Sequence, residues 1–513
     1  MMFNRVARPA DAPRFARFAS PAALGALLIG ICCSGCGGGG GVVVGKEPFS
    51  KVVEVENNVD ALRAWAEAGT RASVLVHIDP SEEMAVIPAH LTEDMENAAG
   101  HLKRRNGKAL EEIAPMIERG GTINLGYMAG IYKRVIWVIP TLRPVGDDPV
   151  DAYKNYLIEQ RKYPEAAIGD LKSEGKFITG TVAGVPITIT RLADLALAEG
   201  EDAIVDIDLS FFPAMKLASP SYRVGTRSFL EFVRDLGKRN VRAKLVTVNH
   251  SNLSNQVPMD LRFGGDVIRE ALAKPDAAIA PLPAKWQGMI QAEDSLGAKR
   301  YASAAAIYED IIRAEKRDAG LYFSLAVARG FENKGAECRA ALIAAYRLDS
   351  EYLKGFFQLA RVLAAADKLE AGLEILDMKE LATIAAPVEM DYQRGMFFYT
   401  AHRPFDAATY LTNVAQQRPK DFGLFTILFR AHREAGNDKG QIFALRKLVG
   451  IDEGRVRRDM PWVFADLGDL YEKDNLRGNA AEMYEKYLKA RPDDSLSAVL
   501  KKRIEGWKAK KLI

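Results

Sequence analysis

Along the C-terminal half of this 513-residue chain one position of a repeating pattern returns at a nearly fixed interval. It is occupied by Ala304, Cys338, Gly372, Ala407, Gln441 and Ala480, at steps of 34, 34, 35, 34 and 39 residues. A period of that length holds two helices and their turns, and such a pair cannot bury its apolar face without stacking on the next. Whatever else the chain does, this half is expected to be an array of helix pairs, about six of them.

The last unit carries the fullest pattern: Leu467-Gly468, Tyr471, Ala480, Tyr484, Tyr487 and Pro492. A small residue lets two antiparallel helices approach, an aromatic four positions on lies on the same face, and proline ends the second helix. This spacing resembles the tetratricopeptide repeat. Supporting pairs recur in register at Leu325-Ala326 and Leu359-Ala360, and Phe405-Asp-Ala407 precedes Leu411 and Pro419. The third and fifth units are degenerate, with Gly372 and Gln441 at the packing position. The five extra residues before Ala480 fall in a turn around 452–459. Cys338 reads as a buried packing residue, since it stands where the repeat takes alanine. The closing basic stretch, with Leu500, Ile504 and Trp507 at helical spacing, reads as a polar-faced helix capping the array. The resemblance implies an all-α solenoid over residues 285–513 with a concave surface for a protein or peptide partner.

Composition locates the rest. With 48% hydrophobic and 27% charged residues the chain is neither a small module nor wholly disordered. Its 70 basic and 67 acidic side chains leave +3, and residues 1–35 hold four arginines (Arg5, Arg8, Arg14, Arg17) against Asp11 alone. Without that stretch the balance is 66 to 66, so there is no net field to attract nucleic acid. The apolar run 21–33 is too short to span a bilayer and fits a signal-peptide core. It is followed by Ser34-Gly35-Cys36 and five glycines. The arrangement resembles a bacterial lipobox, which implies a signal peptide over 1–35, lipidation of Cys36, a glycine-rich tether over 36–50, and an extracytoplasmic, membrane-anchored lipoprotein. Cys338 is then the one thiol of the mature chain, and no internal disulfide is available.

Between residues 51 and 275 the pattern is that of an α/β domain. Strands are expected at 73–78, 135–139, 187–190, 203–207 and 244–248, where continuous apolar runs suit a largely parallel sheet buried on both faces. A proline-spaced linker over 276–284 is expected to separate it from the repeats. Ligands of such sheets bind beyond the carboxyl ends of the strands. Two of those ends are rich in polar residues, His77-Ile-Asp79-Pro-Ser81-Glu82-Glu83 and Asp206-Ile-Asp208-Leu-Ser210, and a third closes with Asn249-His250-Ser251.

Residues 54–270 resemble the uncharacterised arginase-like proteins of the arginase/deacetylase superfamily. The resemblance rests on Asn58–Trp65, His77-Ile-Asp79, Ile123-Asn124 with Lys133–Pro140, Arg191–Leu195, Asp206–Phe212, and Val246–Ser251 with Pro258. It implies a three-layer α/β fold with a parallel sheet. In that family the ends of these strands carry a binuclear metal site, but here Ser81, Glu83, Ser210 and Asn58 stand at places where the resemblance expects His, Asp, Asp and His. What remains is at most one divalent cation, Mn or Zn, held by Asp79, Glu83 and Asp208 with His77 or His250. Against this, His77 reads as a hydrogen-bonded core histidine, and Asp79 and Asp208 as caps of the helices that follow them. The favoured function is an interaction or assembly protein with a catalytically degenerate arginase-like domain. The alternatives are a metal-dependent hydrolase of an amide or guanidine C–N bond, and a small-ligand binding protein.

Overall fold

The computed structural model describes residue 49 and residues 51–513, apart from 108–109, 118–120, 141–148, 169, 220, 240, 252–256 and 280. The expected signal peptide, Cys36 and nearly all of the tether lie outside the described residues. The chain divides into two compact units, one ending at Gln358 and the other spanning Leu359–Ile513.

The first unit is built on eight strands: β1 (Val52–Val55), β2 (Val74–Ile78), β3 (Arg134–Ile139), β4 (Lys172–Glu174), β5 (Phe177–Val182), β6 (Val185–Arg191), β7 (Ala203–Asp208) and β8 (Ala243–Asn249). They form one sheet in the order β1-β8-β7-β2-β3-β6-β5-β4. From β1 to β6 every pairing is parallel, whereas β6-β5 and β5-β4 are antiparallel. The sheet is therefore mixed: largely parallel, as the apolar runs suggest, but with an antiparallel edge that corrects the parallel sheet the resemblance implied. The antiparallel edge arises locally: Ala183 and Gly184 both adopt positive φ (+48° and +80°), the requirement of a two-residue hairpin turn, and fold β5 back onto β6.

Side chains alternate across the sheet, so each buried strand feeds two cores. Leu75, Val135, Trp137, Ile204 and Leu245 face one side, with α1 (Asn58–Glu67), α2 (Thr92–Lys103), α3 (Leu110–Ile117), α4 (Thr122–Met128) and α5 (Pro149–Asn155). Val74, Val76, Val205, Val246 and Val248 face the other, with α6 (Phe211–Ala218), α7 (Thr226–Gly237) and α8 (Gly264–Ala273).

That second core does not end where a linker was expected. Residues 275–278 make a tight 3-10 turn whose Ala278 carbonyl accepts from Arg234 Nη2 at 3.1 Å. Then α9 (Ala284–Gly297), α10 (Tyr301–Ala314), α11 (Ala319–Phe331) and α12 (Gly335–Leu348) follow. Trp286, Met289, Tyr308 and Leu321 from these helices lie in the same hydrophobic cluster as Phe229 and Val205. Arg262, 7% exposed, binds Glu56 through Nη1 and Nη2 (2.9 and 2.6 Å) and Asp349 through Nε (2.9 Å). Helices read from sequence as the start of an independent array belong physically to the α/β unit, because their apolar faces have the α7–α8 layer to cover.

The second unit is all helical. Beginning within α13 (Phe356–Ala365), it runs through α14 (Leu369–Leu376), α15 (Pro387–Thr400), α16 (Pro404–Gln417), α17 (Phe422–Glu434), α18 (Asp438–Ile451), α19 (Glu453–Asp459), α20 (Trp462–Lys473), α21 (Arg477–Ala490) and α22 (Ser495–Ala509). Small residues sit where helices meet. A Cβ on Gly468 would stand 2.4 Å from the Tyr484 ring, one on Gly395 2.6 Å from Leu411, and one on Gly372 2.4 Å from Phe397. Gly372 is thus a close-approach position rather than the defect it suggests in sequence. The residues expected at 452–459 as a turn form the short helix α19, capped by Asp452, whose carboxylate accepts from Arg455 N at 2.8 Å.

Candidate functional site

Sheet register decides which polar residues meet. Thr247, Asp206, His77 and Trp137 are direct neighbours across β8, β7, β2 and β3, and Asn249 pairs with Asp208 two residues further along. Residues two apart share a face, so His77 and Asp79, and Asp206 and Asp208, all project towards the α1–α5 side at the carboxyl ends of the strands.

A chain of hydrogen bonds links this row. Trp65 Nε1 donates to Thr247 Oγ1 (3.1 Å), whose hydroxyl donates to Asp206 Oδ1 (2.6 Å), and Asp206 Oδ2 meets His77 Nδ1 at 3.0 Å. His77 Nε2 has no hydrogen-bond partner and lies 3.8 Å from Asp79 Oδ2. Asp79 Oδ1 accepts from Ser81 N at 2.6 Å and lies 3.1 Å from Ser81 Oγ, which is also 2.6 Å from Glu83 Oε1. One hydroxyl proton serves only one carboxylate at a time, so the full set of contacts needs a proton on a carboxyl. Asp208 is closed in the same manner: Oδ1 accepts from Ser210 N at 2.7 Å, and Oδ2 accepts from the Ser251 hydroxyl. Asp79 and Asp208 therefore fold onto residues two positions ahead, as Asx turns, and do not cap α-helices as expected.

The electrostatics follow from burial. His77, Asp79, Asp206 and Asp208 are each at most 2% exposed. Desolvation, reinforced by Asp208 and Glu83, raises Asp79 well above the usual carboxylate range. Burial pushes Asp208 up to about 6 against the hydrogen bonds from Ser210 and Ser251. For His77 burial alone acts downward, but the Asp206 carboxylate overrides it and raises the imidazole. Both effects leave protons in the cluster.

The five expected metal donors are not brought together. His250 lies apart, its Nε2 on Glu54 at 3.0 Å and its ring against Gly265. Among the described residues no group of three or more His, Cys, Asp or Glu side chains is arranged to hold a metal ion. With Asp79 Oδ1 and both oxygens of Asp208 taken by hydroxyl and amide donors, the residues present do not fit the cation that the resemblance implies. Sequence reasoning ranked Asp206 below Asp208 as a donor, although Asp206 is the residue that holds His77. Its cross-strand partner is fixed by register, which is nonlocal. A small half-open apolar hollow of about 40 Å³ lies elsewhere, lined by Val86, Ile87, Leu91, Met95, Ile113 and Ile117, and none of the strand-end acids lines it.

The repeat-packing residues are placed as follows. Ala304 and Cys338 are fully buried in the first unit, and burial pushes the Cys338 thiol up to about 12. Ala407, Ala480 and Tyr484 are fully buried in the second, with Leu467 and Tyr471 nearly so, and Gly468 under the Tyr484 ring. Pro492 follows the end of α21, and Leu500, Ile504 and Trp507 bury the inner face of α22.

No protein-family model matches the chain, and no curated protein matches it. Solved structures similar to it include YrrB, described as a TPR protein with an unusual peptide-binding site, at 19% identity over 38% of this chain and 97% of that one, with a TM-score of 0.26. PilW, described as a type IV pilus biogenesis factor, matches at 13% identity over 42% and 97% with a TM-score of 0.24. MamA matches at 17% identity over 42% and 96%, with a TM-score of 0.22.

Proposed function

We propose that this chain is a protein-binding repeat protein, held at a membrane outside the cytoplasm by a lipid on Cys36, whose arginase-like domain is non-catalytic and serves assembly. The observation that carries the binding reading is the series of helix pairs in 359–513 closing over Gly372, Gly395 and Gly468. Stacked pairs of this kind expose inter-helix surface and hold no catalytic group of their own. Support for the non-catalytic domain comes from Asp79, Asp206 and Asp208, which are buried and engaged by Ser81, by His77 and Thr247, and by Ser210 and Ser251. A substrate would find no free carboxylate pair there.

Cross-linking of the membrane-associated protein in cells, read by mass spectrometry with the mature N-terminus, tests this. The expected outcome is an acylated Cys36 as first residue and protein cross-links concentrated in 359–513. An unmodified N-terminus, or cross-links confined to 54–270, would overturn it.

A further inference from the structure

The second unit ends in α22, and its two faces have different chemistry. Leu500, Ile504 and Trp507 are buried, and Arg503 is turned towards the same side, with Nη1 on Glu472 Oε2 at 2.7 Å and on the Tyr484 hydroxyl at 3.2 Å. Lys501, Lys502, Lys508, Lys510 and Lys511 are all exposed. Only Lys508 meets an acid, Glu485, at a loose 3.5 Å. The other four form no ion pair among the described residues. Interspersed with them are exposed apolar side chains, Val499 (51% exposed), Leu512 (44%) and Ile513 (39%). Glu505 is the single acid between 495 and 513. At the entry, Asp493 and Asp494 are offset by Lys489 and Arg491.

This is a strongly basic surface on a chain whose other residues carry 64 basic and 66 acidic side chains. Packing uses the opposite side of the helix, and fixed cations without acids repel one another. We propose that the outer face of α22 and residues 510–513 dock on an anionic lipid surface, lysines on headgroup phosphates and Val499, Leu512 and Ile513 in the interface. Clusters of four to eight basic residues on a helix face have the charge density such a surface attracts, each cation adding its own increment. The apolar side chains favour lipid over nucleic acid, whose grooves and phosphates offer them nothing. The free cations are all lysines, without the guanidinium fork that reads base edges. No described helix is long and apolar enough to cross a membrane, so the contact is one of surface. The inference stands apart from the lipid anchor.

The test uses the full chain carrying Cys36→Ser, so that no acyl group contributes. Sedimentation is measured with vesicles of phosphatidylcholine alone and with about one-third phosphatidylglycerol. Triple reversal Lys501→Glu/Lys502→Glu/Lys510→Glu is expected to lower partition onto the anionic vesicles by about tenfold or more, and added salt to lower wild-type partition likewise. A charge-matched reversal at the exposed Lys379, Lys439 and Arg446 should leave partition near wild type, which separates this face from net charge. Equal losses in both triple variants would overturn the proposal. So would an unchanged partition in the α22 variant, or retention of short duplex DNA or polyglutamate in place of anionic vesicles. Circular dichroism confirms that each variant is folded.

Discussion

The carboxylate of Glu293, on α9, accepts the hydroxyl of Thr226 at 2.5 Å and its backbone N–H at 3.0 Å, so a repeat helix supplies the cap for the first turn of α7. Glu293 is half-buried beside Asp294, Arg227 and Tyr308, and desolvation, opposed by Thr226, pushes its carboxyl up to about 7 from 4.5. The unfolded chain loses this proton at lower pH than the folded one, so the first unit loses stability as pH rises from 4.5 towards 7. Glu293→Gln, which keeps an acceptor for Thr226, should flatten that slope. The difference between wild type and variant, read from urea midpoints across the range, is expected to reach about 3 kcal/mol at most.

The strand-end cluster predicts the same direction. Asp79 and Asp208 have raised folded values, so their contribution falls as pH climbs past 3.8 towards about 6 for Asp208. His77, also raised, contributes stability that is full below 6.5 and lost as pH passes its folded value. His77→Ala leaves Asp206 buried with Thr247 alone and should cost ~3–5 kcal/mol of unfolding free energy at about pH 6. His77→Ala combined with Asp206→Asn should recover part of that loss, measured by the same urea titration.

Much of this architecture is legible in the sequence. Periodicity is local, so Ala304, Cys338, Ala407 and Ala480 mark helix crossings by their spacing alone, and apolar runs such as 135–139 mark buried strands. What stays hidden is nonlocal or short. β4 is three polar residues, and β5 weakens its own pattern with Gly180, though Ala183-Gly184 between Val182 and Val185 is a hairpin signal that alternation over 177–190 supports. The proline-spaced stretch at 275–283 suggests a free linker because sequence does not show that Trp286 and Tyr308 have a waiting apolar layer. The pairing of His77 with Asp206 depends on register between strands 129 residues apart.

Where that hidden boundary lies has a direct consequence. A chain ended after Pro283 exposes the cluster of Phe229, Leu230 and Ala271 that Trp286, Met289 and Tyr308 cover. It should bind 1-anilinonaphthalene-8-sulfonate and unfold without cooperativity, whereas a chain carried through Ala365 should do neither.

Close approach in the repeats gives a third kind of prediction. Gly468→Ala places a methyl 2.4 Å from a fully buried ring and should cost ~2–3 kcal/mol, while Gly478→Ala, with nothing within 4 Å, should be neutral or stabilising by up to ~1 kcal/mol. Thermal unfolding of the two variants beside the wild type separates a packing requirement from helix propensity.

The central claim is that the strand-end acids are satisfied by protons, His77 and hydroxyl and amide donors in place of a cation. Metal content of the full chain after exchange with manganese and with zinc, read by mass spectrometry following gel filtration, tests it most directly. The account predicts no stoichiometric metal in the wild type and no change in Asp79→Asn or Asp208→Asn. Stoichiometric metal in the wild type, abolished by either substitution, would contradict it.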